Sequence, residues 1–372
     1  MQIATTAPRQ IVVVRRKAFV GQQPGVSAPL APSVPYTPPS VLVGAHAKSL
    51  QAQSLDDYLI NWLRTYKQGL VKPTTYDTLE RTIQDYIRPW LGGVPVGSLN
   101  AETIQGHLAF LKAQKGYSHS TIKKTYDCLN AAYKHGVKRR VLSENPMELV
   151  EMPSKALFEQ SEMTVFSATE CALIIEECSR AYSTGRPVYV YGDAVILILL
   201  TGIRLGEAIG LKREDYDPEK KTIKIRSNVQ KVRKRDENGD LLPGRVLEET
   251  TTKTYSGFRE IPLTKQAVAA VERMLQEHPC SPYLICTTKG ERATPEQVDR
   301  TFRYLLRNLN LGVAGVHKLR HTFASLLFSM KVDVKTISKL LGHASVGITL
   351  QTYIHISEQV PHEVITPLDE LF

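Results

Sequence analysis

Apolar positions in the chain form two helical regions, and the second is interrupted by a region with strand character. From residue 48 to residue 153, apolar side chains recur every three or four residues, the spacing of one buried helix face. Gly92-Gly93 and Asn145-Pro146 interrupt this pattern as turn and stop signals. The apolar faces are Leu55, Tyr58, Leu59, Trp62 and Tyr66; Tyr76, Leu79, Ile83, Tyr86 and Ile87; Ile104, Leu108 and Leu111; and Ile122, Tyr126, Leu129 and Tyr133. We predict a bundle of about four helices here.

A second helical region follows a short polar linker, residues 154–164, and extends to residue 360. Ser167-Ala168-Thr169-Glu170 is a capping box that predicts the start of one helix, and Thr294-Pro295-Glu296-Gln297 predicts another. The run from Val188 to Leu200 is apolar on nearly every side. We therefore predict a buried helix at the centre of this domain.

Residues 221–262 change to strand character. Residues 222–225 alternate polar and apolar side chains, which is the period of a strand with one buried face. We expect a charged loop at 233–244, and then two further strands, 246–251 and 258–263, on either side of a turn. The predicted fold is therefore mainly α with a small three-stranded antiparallel β-sheet (α+β).

The N-terminal residues 1–47 do not share these patterns. Ile11-Val12-Val13-Val14, followed by three basic residues, is a candidate β-strand, and residues 24–40 are rich in proline, alanine and serine. Two interpretations of 1–47 stay open, a remnant of a DNA-binding arm or a disordered tail. The composition of 24–40 favours an extended linker.

The charge of the chain favours a polyanionic partner. Lysine and arginine number 47 against 37 aspartate and glutamate, which gives a net charge of +10 and a pI of about 9.2. Basic residues crowd the last two helices of the predicted bundle, as either a solvated face or a phosphate-binding one, and the crowding favours phosphate. They are Lys112, Lys115, Lys123, Lys124, Lys134, Lys138, Arg139 and Arg140.

The remaining composition indicates a soluble intracellular protein. The five cysteines lack metal-ligand spacing and are typical of buried thiols in a reducing compartment. Met1 to Gly25 lacks the continuous apolar core of a signal peptide. The strongly apolar run from Ala194 to Leu200 is too short to cross a membrane.

Cationic side chains stand at three positions where a turn or helix would aim them. Arg204 lies between Gly202 and Gly206, so it either forms an ion pair that braces the turn or is presented to a phosphate. Lys253 lies in the turn between the last two predicted strands, where most lysines only face solvent. His317 and Arg320 are three residues apart and leave one face of a predicted helix.

The segment 334–353 brings a histidine and a tyrosine toward these cations. Val334, Ile337 and Leu341 have helical spacing, and Gly342 is placed to end that helix in the left-handed conformation. His343 follows in the turn. We predict a second short helix, capped by Ser345, that returns Tyr353 to the same pocket.

Four motifs in one order give a resemblance to a known family. They are Thr201-Gly202-Ile203-Arg204-Leu205-Gly206-Glu207, then Thr252-Lys253-Thr254, then His317-Lys318-Leu319-Arg320-His321-Thr322-Phe323-Ala324, then Leu341-Gly342-His343 with Tyr353 ten positions on. In this order and spacing they resemble the tyrosine recombinases of phages and conjugative transposons. The resemblance covers residues from about 50 to 360 and implies a SAM-like core-binding domain at 48–153 and a catalytic domain at 165–360. The N-terminus departs from larger integrases of this type, which have a folded arm-binding domain.

The resemblance implies a role for each cationic residue. Arg204 and Arg320 would clamp the scissile phosphate, and His343 would hydrogen-bond a non-bridging oxygen. Lys253 would protonate the leaving 5′-oxygen. Fixed cationic donors stabilise the charge that a phosphodiester gains on its equatorial oxygens under attack.

The resemblance also implies covalent catalysis by Tyr353, with His317 as its base. A tyrosine, with an ordinary pKa of about 10, needs a base or nearby cations to act as a nucleophile at neutral pH. The product would be a 3′-phosphotyrosine, which conserves the bond energy until a second 5′-hydroxyl reverses the step. Neither a cofactor, ATP nor a metal is then required.

These implications give an integrase-type site-specific recombinase that integrates or excises a phage or another mobile element. Its expected partners are double-stranded DNA and further copies of the chain, as a homotetramer on two sites, in the cytoplasm at the nucleoid. An excisionase or DNA-bending protein is a further partner that stays open, and a membrane is not expected. Two alternatives are a chromosome-dimer-resolving recombinase and a DNA-binding protein without catalysis. The apolar tail, 361–372, either packs on its own domain or docks on a neighbouring protomer.

Overall fold

The structure is a computed structural model that describes residues 52–158, 164–237, 239–251, 257–343 and 345–353. For Thr251, Ile348 and 351–353 only the backbone is described. The chain divides into two compact units, Met1–His46 and Ala47–Phe372, and every described residue belongs to the second. The candidate N-terminal strand and linker, the Lys253 turn and the C-terminal tail lie outside the described residues.

The predicted bundle is present as a set of short and medium helices with a shared core. They are α1 (Leu55–Tyr66), α2 (Pro73–Thr82), a π-turn (Ile83–Ile87), α3 (Arg88–Leu91), α4 (Ala101–Ala113) and α5 (His119–Lys138). Ser54 caps α1 by accepting a hydrogen bond from the amide of Asp57 at 3.1 Å. Trp62, Leu108 and Leu129 are buried in the core of the bundle.

Helix α5 ends earlier than the Asn145-Pro146 stop signal predicts. Its last residue is Lys138, and Arg140 adopts the left-handed conformation with φ of 58°. The amide of Val141 donates to the carbonyl oxygen of Gly136 at 2.9 Å, which is the bond of a Schellman ending. A glycine usually occupies such a left-handed position, but here the residue is an arginine. The sequence therefore gives no signal that the helix ends at this point.

The second domain surrounds one buried helix. Its helices are α6 (Ala168–Cys178), α7 (Gly192–Thr201), α8 (Leu205–Gly210), α9 (Lys265–Glu277), α10 (Pro295–Asn308), α11 (His317–Ser329), α12 (Val334–Leu341) and α13 (Val346–Tyr353). Both helices begin at their predicted capping boxes: at α6 both hydrogen bonds of the box are formed, and at α10 the Gln297 side chain accepts from the amide of Thr294 at 2.7 Å. Helix α7 is buried along most of its length, as predicted, but begins at Gly192 rather than Val188. Throughout the described ranges, the helices are too short or too polar to cross a lipid bilayer.

The β-structure differs in its pairing from the prediction. Strands β1 (Tyr216–Asp217), β2 (Thr222–Ile225) and β5 (Arg259–Pro262) form an antiparallel sheet in the order β1-β2-β5, while β3 (Ser227–Arg235) and β4 (Leu241–Thr251) form a separate hairpin. Most of the expected charged loop is therefore strand, and β4 pairs with β3 rather than with β5. Polar residues on both faces of β3 and β4 hide the period-two signal of these strands.

The β3–β4 hairpin contacts the helical bundle through charged side chains. The guanidinium of Arg235 lies 2.6 Å from Asp77 and 2.7 Å from Glu80, both on α2. The same guanidinium lies 4.5 Å from the ring centroid of Tyr76, and Arg233 lies 3.3 Å from Glu80. Arg235 is only 18% exposed, so these ion pairs are shielded from water and join the two domains.

Candidate active site

Arg204 is placed by the end of the buried helix α7. Gly202 ends this helix with φ of 64°, a conformation that suits glycine, and Arg204 then precedes the first residue of α8. The amide and the guanidinium of Arg204 each donate to Glu207 at 2.8 Å. The ion pair, one of the two alternatives for Arg204, is therefore formed. The Arg204 side chain is still 39% exposed, so the pair leaves part of the guanidinium open to a ligand.

Arg320 is placed on α11 and is almost fully buried, with 3% exposure. Its guanidinium donates at 2.7 Å to the carbonyl oxygen of Gly202 and at 2.7 Å to that of Leu341. These carbonyls lie at the C-terminal ends of α7 and α12, where the helix dipole favours a positive charge. Arg320 thus joins the two helix ends that come before Arg204 and His343.

Arg259, on β5, is a third buried arginine at this place, and sequence reasoning missed it. It is 7% exposed. Its Nε donates to the carbonyl oxygen of Leu340 at 2.6 Å. Its two Nη atoms donate to the carboxylate of Glu207 at 3.2 and 2.8 Å. The available signal was the alternation of β5, which places Arg259 on the same buried face as Ile261.

The C-terminal end of α12 is therefore bound by three arginines. Three consecutive carbonyl oxygens each accept a hydrogen bond from a different guanidinium, where a helix end would otherwise leave them without a partner. The pairs are Leu340 with Arg259 at 2.6 Å, Leu341 with Arg320 at 2.7 Å, and Gly342 with Arg204 at 3.4 Å. His343 is the next residue, so these contacts fix the position of its backbone.

His343 leaves the helix through the predicted turn. Gly342 has φ of 65°, as the prediction of a left-handed end requires. The Nδ1 atom of His343 lies 2.8 Å from the hydroxyl oxygen of Thr349, which is buried in α13. Desolvation, followed by the positive charges of Arg320 and Arg204, lowers the pKa of His343 to about 4. The imidazole is therefore neutral at neutral pH.

His317 begins α11, three residues before Arg320. Its ring packs edge-on against His321, with centroids 4.7 Å apart. Desolvation, followed by the charges of Arg320 and Arg204, lowers the pKa of His317 below its ordinary value. The shift favours the neutral imidazole, which is the form that can accept a proton.

Glu207 balances part of the positive charge at this site. It is 2% exposed and accepts hydrogen bonds from both Arg204 and Arg259. Burial alone would raise the pKa of Glu207, but the hydrogen bonds and charges of Arg259 and Arg204 outweigh it and lower that pKa. The carboxylate is therefore ionised and orients two guanidinium groups at once.

The structure thus brings Arg204, Arg320 and His343 together at the ends of α7 and α12. Lys253 lies outside the described residues. Tyr353 is the last residue of α13, so the predicted second short helix is present, while its side chain is not described. A site with several fixed cations and neutral imidazoles can stabilise an anionic transition state and move a proton.

Family models match both domains of the chain. Residues 165–360 match the Phage integrase family. Residues 54–111 match the phage integrase N-terminal SAM-like domain. The first match includes Arg204, Arg320, His343 and Tyr353, and it covers more than half of the chain.

Curated relatives agree with these matches. The chain is 27% identical over 346 residues to a XerC-like tyrosine recombinase of Caldanaerobacter subterraneus subsp. tengcongensis, covering 87% of this chain and 84% of the relative. It is 22% identical to the integrase of Staphylococcus phage L54a, covering 87% of this chain and 95% of that protein. Both relatives therefore span most of the chain.

Solved structures share the fold. A fragment of the Tn1549 transposon integrase, in complex with transposon right end DNA, aligns with a TM-score of 0.69 at 20% identity and covers 86% of this chain and 99% of that one. A lambda integrase tetramer bound to a Holliday junction aligns with a TM-score of 0.59 at 16% identity, covering 82% and 79%. With the family matches, these likenesses identify the chain as a tyrosine-type site-specific recombinase that belongs to the phage integrase family.

Proposed function

We propose that this recombinase cuts and rejoins duplex DNA of a phage or another mobile element through a 3′-phosphotyrosine intermediate. The observation that supports this most directly is the convergence of Arg204, Arg320 and His343 at the end of α12. The Tn1549 and lambda integrases, which share the fold, are bound to DNA in their structures.

The phosphate would be held by the two arginines and His343. Arg204 is partly exposed and would contact a non-bridging oxygen at the protein surface. Arg320 is buried and would contact the phosphate from the protein interior. The Thr349 hydroxyl would donate to Nδ1 of His343 and so leave Nε2–H to donate to a non-bridging oxygen. These donors are positioned before the substrate binds, which lowers the cost of stabilising charge in the transition state.

The bond exchange needs one base and one acid. The phenolic oxygen of Tyr353 would attack phosphorus while His317 accepts its proton. The bond from phosphorus to the 5′-oxygen would break, and Lys253 would give that oxygen a proton. In the second step, a 5′-hydroxyl from the second DNA would give its proton to the neutral Lys253 amine and attack the phosphotyrosine. The bond from phosphorus to the Tyr353 oxygen would break, and the protonated His317 would return a proton to that oxygen.

Binding would use both domains as a clamp. We assign the bundle, residues 48–153, and the catalytic domain, residues 165–360, to opposite sides of the duplex, joined by 154–164. Four protomers would act on two sites, because each supplies one tyrosine for one of four strands. The basic residues of α4 and α5 would then neutralise backbone phosphates. We place this activity on nucleoid DNA in the cytoplasm.

Two segments outside the described residues, and one further protein, would contribute to this assembly. The tail, 361–372, would dock on a neighbouring protomer and so couple the position of Tyr353 to assembly. Residues 1–47 would either contact arm-type DNA or serve as a linker. An excisionase or DNA-bending protein would bias the direction of the reaction.

The nucleophile is tested on a nicked suicide substrate, from which the cut product cannot be religated. Tyr353→Phe should bind core-site DNA nearly as wild type does and should trap no covalent protein–DNA adduct. Wild type should accumulate the adduct, and digestion of it should leave phosphotyrosine at the 3′ end. An adduct of undiminished yield from Tyr353→Phe would refute the assignment of the nucleophile.

The acid is tested separately from the clamp. Arg204→Ala should slow cleavage by about 10²–10³-fold, the usual cost of losing one preorganised donor. Lys253→Ala should also slow cleavage, but a substrate with a 5′-bridging sulfur should restore it, because a thiolate leaves without protonation. If the sulfur substrate rescues both variants equally, Lys253 is not the acid.

A further inference from the structure

We propose that Arg259 is a positioning residue for DNA cleavage, which couples the strand after the Lys253 turn to the helix end before His343. The inference rests on the proposed function, because it takes Lys253 as the acid and His343 as a phosphate ligand. Arg259 itself need not touch the DNA. It would act by holding two segments that do.

The contacts of Arg259 reach both segments. In the sequence, Lys253 lies between β4 and β5, and Arg259 is the first residue of β5. Its Nη1 atom donates to the carbonyl oxygen of Gly257, at the end of that turn, at 3.4 Å. Its Nε atom donates to the carbonyl oxygen of Leu340 on α12 at 2.6 Å. One side chain therefore connects the lysine turn with the helix end.

The central part of this connection is a buried ion pair. The side chains of Arg259 and Glu207 are 5% and 2% exposed and lie 2.8 Å apart. Glu207 also holds Arg204 at 2.8 Å. A shift of Arg259 would thus change the contacts of Gly257, of the helix end before His343 and, through Glu207, of Arg204.

Arginine is required here because of the shape of its donors. The planar guanidinium donates to a carboxylate with two nitrogens and still has Nε for a carbonyl oxygen in another direction. A lysine ammonium at this position would keep the charge beside Glu207. It has a single nitrogen, so it would not reproduce the three directions of contact.

The chain offers a matched control. Arg292 is 12% exposed in its side chain and lies 2.6 Å from Glu249 on β4. It is a shielded arginine with a glutamate partner in the same domain, and its guanidinium lies 4.3 Å from the ring centroid of Tyr283. Arg292→Lys should therefore disturb a shielded arginine–glutamate contact, whose carboxylate is more exposed than that of Glu207, without affecting α12.

The experiment compares Arg259→Lys, Arg259→Gln and Arg292→Lys in the full-length protein. Single-turnover adduct formation is measured on the nicked suicide substrate, alongside DNA affinity by gel shift and folding by circular dichroism. Both Arg259 variants should slow adduct formation by about 100-fold, the loss typical of a misplaced reacting group. Their DNA affinity should stay within a few-fold of wild type, and Arg292→Lys should cleave at nearly the wild-type rate. Arg259→Lys keeps the charge beside Glu207 and serves as the folded variant should Arg259→Gln not fold.

The 5′-bridging sulfur substrate separates positioning from a general loss of stability. Because general acids contribute about 10²–10⁴-fold, the defect of Arg259→Lys should shrink by roughly 10-fold or more on this substrate. The defect of Arg204→Ala should not shrink. Three results would each overturn the proposal. Arg292→Lys could slow adduct formation as much as Arg259→Lys does, Arg259→Lys could form the adduct at the wild-type rate, or the sulfur substrate could leave the defect of Arg259→Lys unchanged. An adduct formed by Tyr353→Phe in the same assay would instead overturn the proposed function on which it rests.

Discussion

Gly202 is a position where a single added methyl group should disturb the packing beneath the site. Its φ of 64° costs an alanine about 1–2 kcal/mol. A Cβ atom at this position would also overlap the ring of Phe323 on α11 and lie 3.0 Å from a methyl carbon of Leu341 on α12. Overpacking of this kind costs about 1–3 kcal/mol. We therefore expect Gly202→Ala to lower the free energy of unfolding by about 2–5 kcal/mol, the sum of these two costs.

Gly312 supplies the control for Gly202→Ala in the same domain. It has φ of 73°, and a Cβ atom there would have no neighbour within 4 Å. Gly312→Ala should therefore cost only the backbone strain, about 1–2 kcal/mol. Urea unfolding followed by circular dichroism measures both variants, and adduct formation on the suicide substrate measures the site. Equal destabilisation by the two substitutions would refute the role of close packing between α7, α11 and α12.

Three further predictions concern the domain contact, the pH dependence and the tail. Arg235→Ala should lower the free energy of unfolding by about 1–3 kcal/mol, because it leaves shielded carboxylates unpaired. Arg64→Ala removes an ion pair that is mostly exposed and should lower it by about 0.5 kcal/mol or less, as measured by urea unfolding of both variants. The pKa values of His321 and His343 in the folded state are lowered to about 4. Their contribution to stability should therefore be complete above about pH 6.5, the ordinary pKa of histidine, and should fall as the pH drops toward 4. Urea unfolding midpoints measured between pH 7.5 and 4.5 will test this. Deleting residues 363–372 should spare single-site binding but weaken the synaptic complex in gel filtration, and a truncated chain that assembles and recombines like wild type would exclude docking.

Local signals were sufficient for the fold class and for several helix starts. The capping signals at Ser167 and Thr294 lie within four residues each, so α6 and α10 begin where the sequence predicts. The end of α12 at Gly342 has the same local origin. The β3–β4 hairpin could not be predicted in this way, because its pairing partners are charged and its contacts with Asp77 lie far away in the sequence.

The site shows the same division between local and distant information. Arg204, Arg320 and His343 stand in motifs that the sequence displays directly. Arg259 lies outside these motifs, and its partners are a carbonyl oxygen of α12 and the carboxylate of Glu207 on α8. A lone arginine in a strand gives no indication of such partners until the chain is folded.

The way in which the arginines are held explains how the site can stay positive when no DNA is bound. Glu207 accepts hydrogen bonds from Arg204 and Arg259, while the carbonyl oxygens of Gly202 and Leu341 accept hydrogen bonds from Arg320. The three guanidinium groups and the one carboxylate leave two positive charges in excess among these four side chains. Carbonyl oxygens at the ends of α7 and α12 accept further hydrogen bonds from the three guanidinium groups. Each carbonyl oxygen contributes only a partial negative charge, not a full one. A second carboxylate would orient the guanidinium groups equally well but would cancel the charge that a phosphate needs. Helix ends thus orient the arginines and preserve their electrostatic potential, which is why Gly202 and Gly342 are as important to the proposed chemistry as the cations beside them.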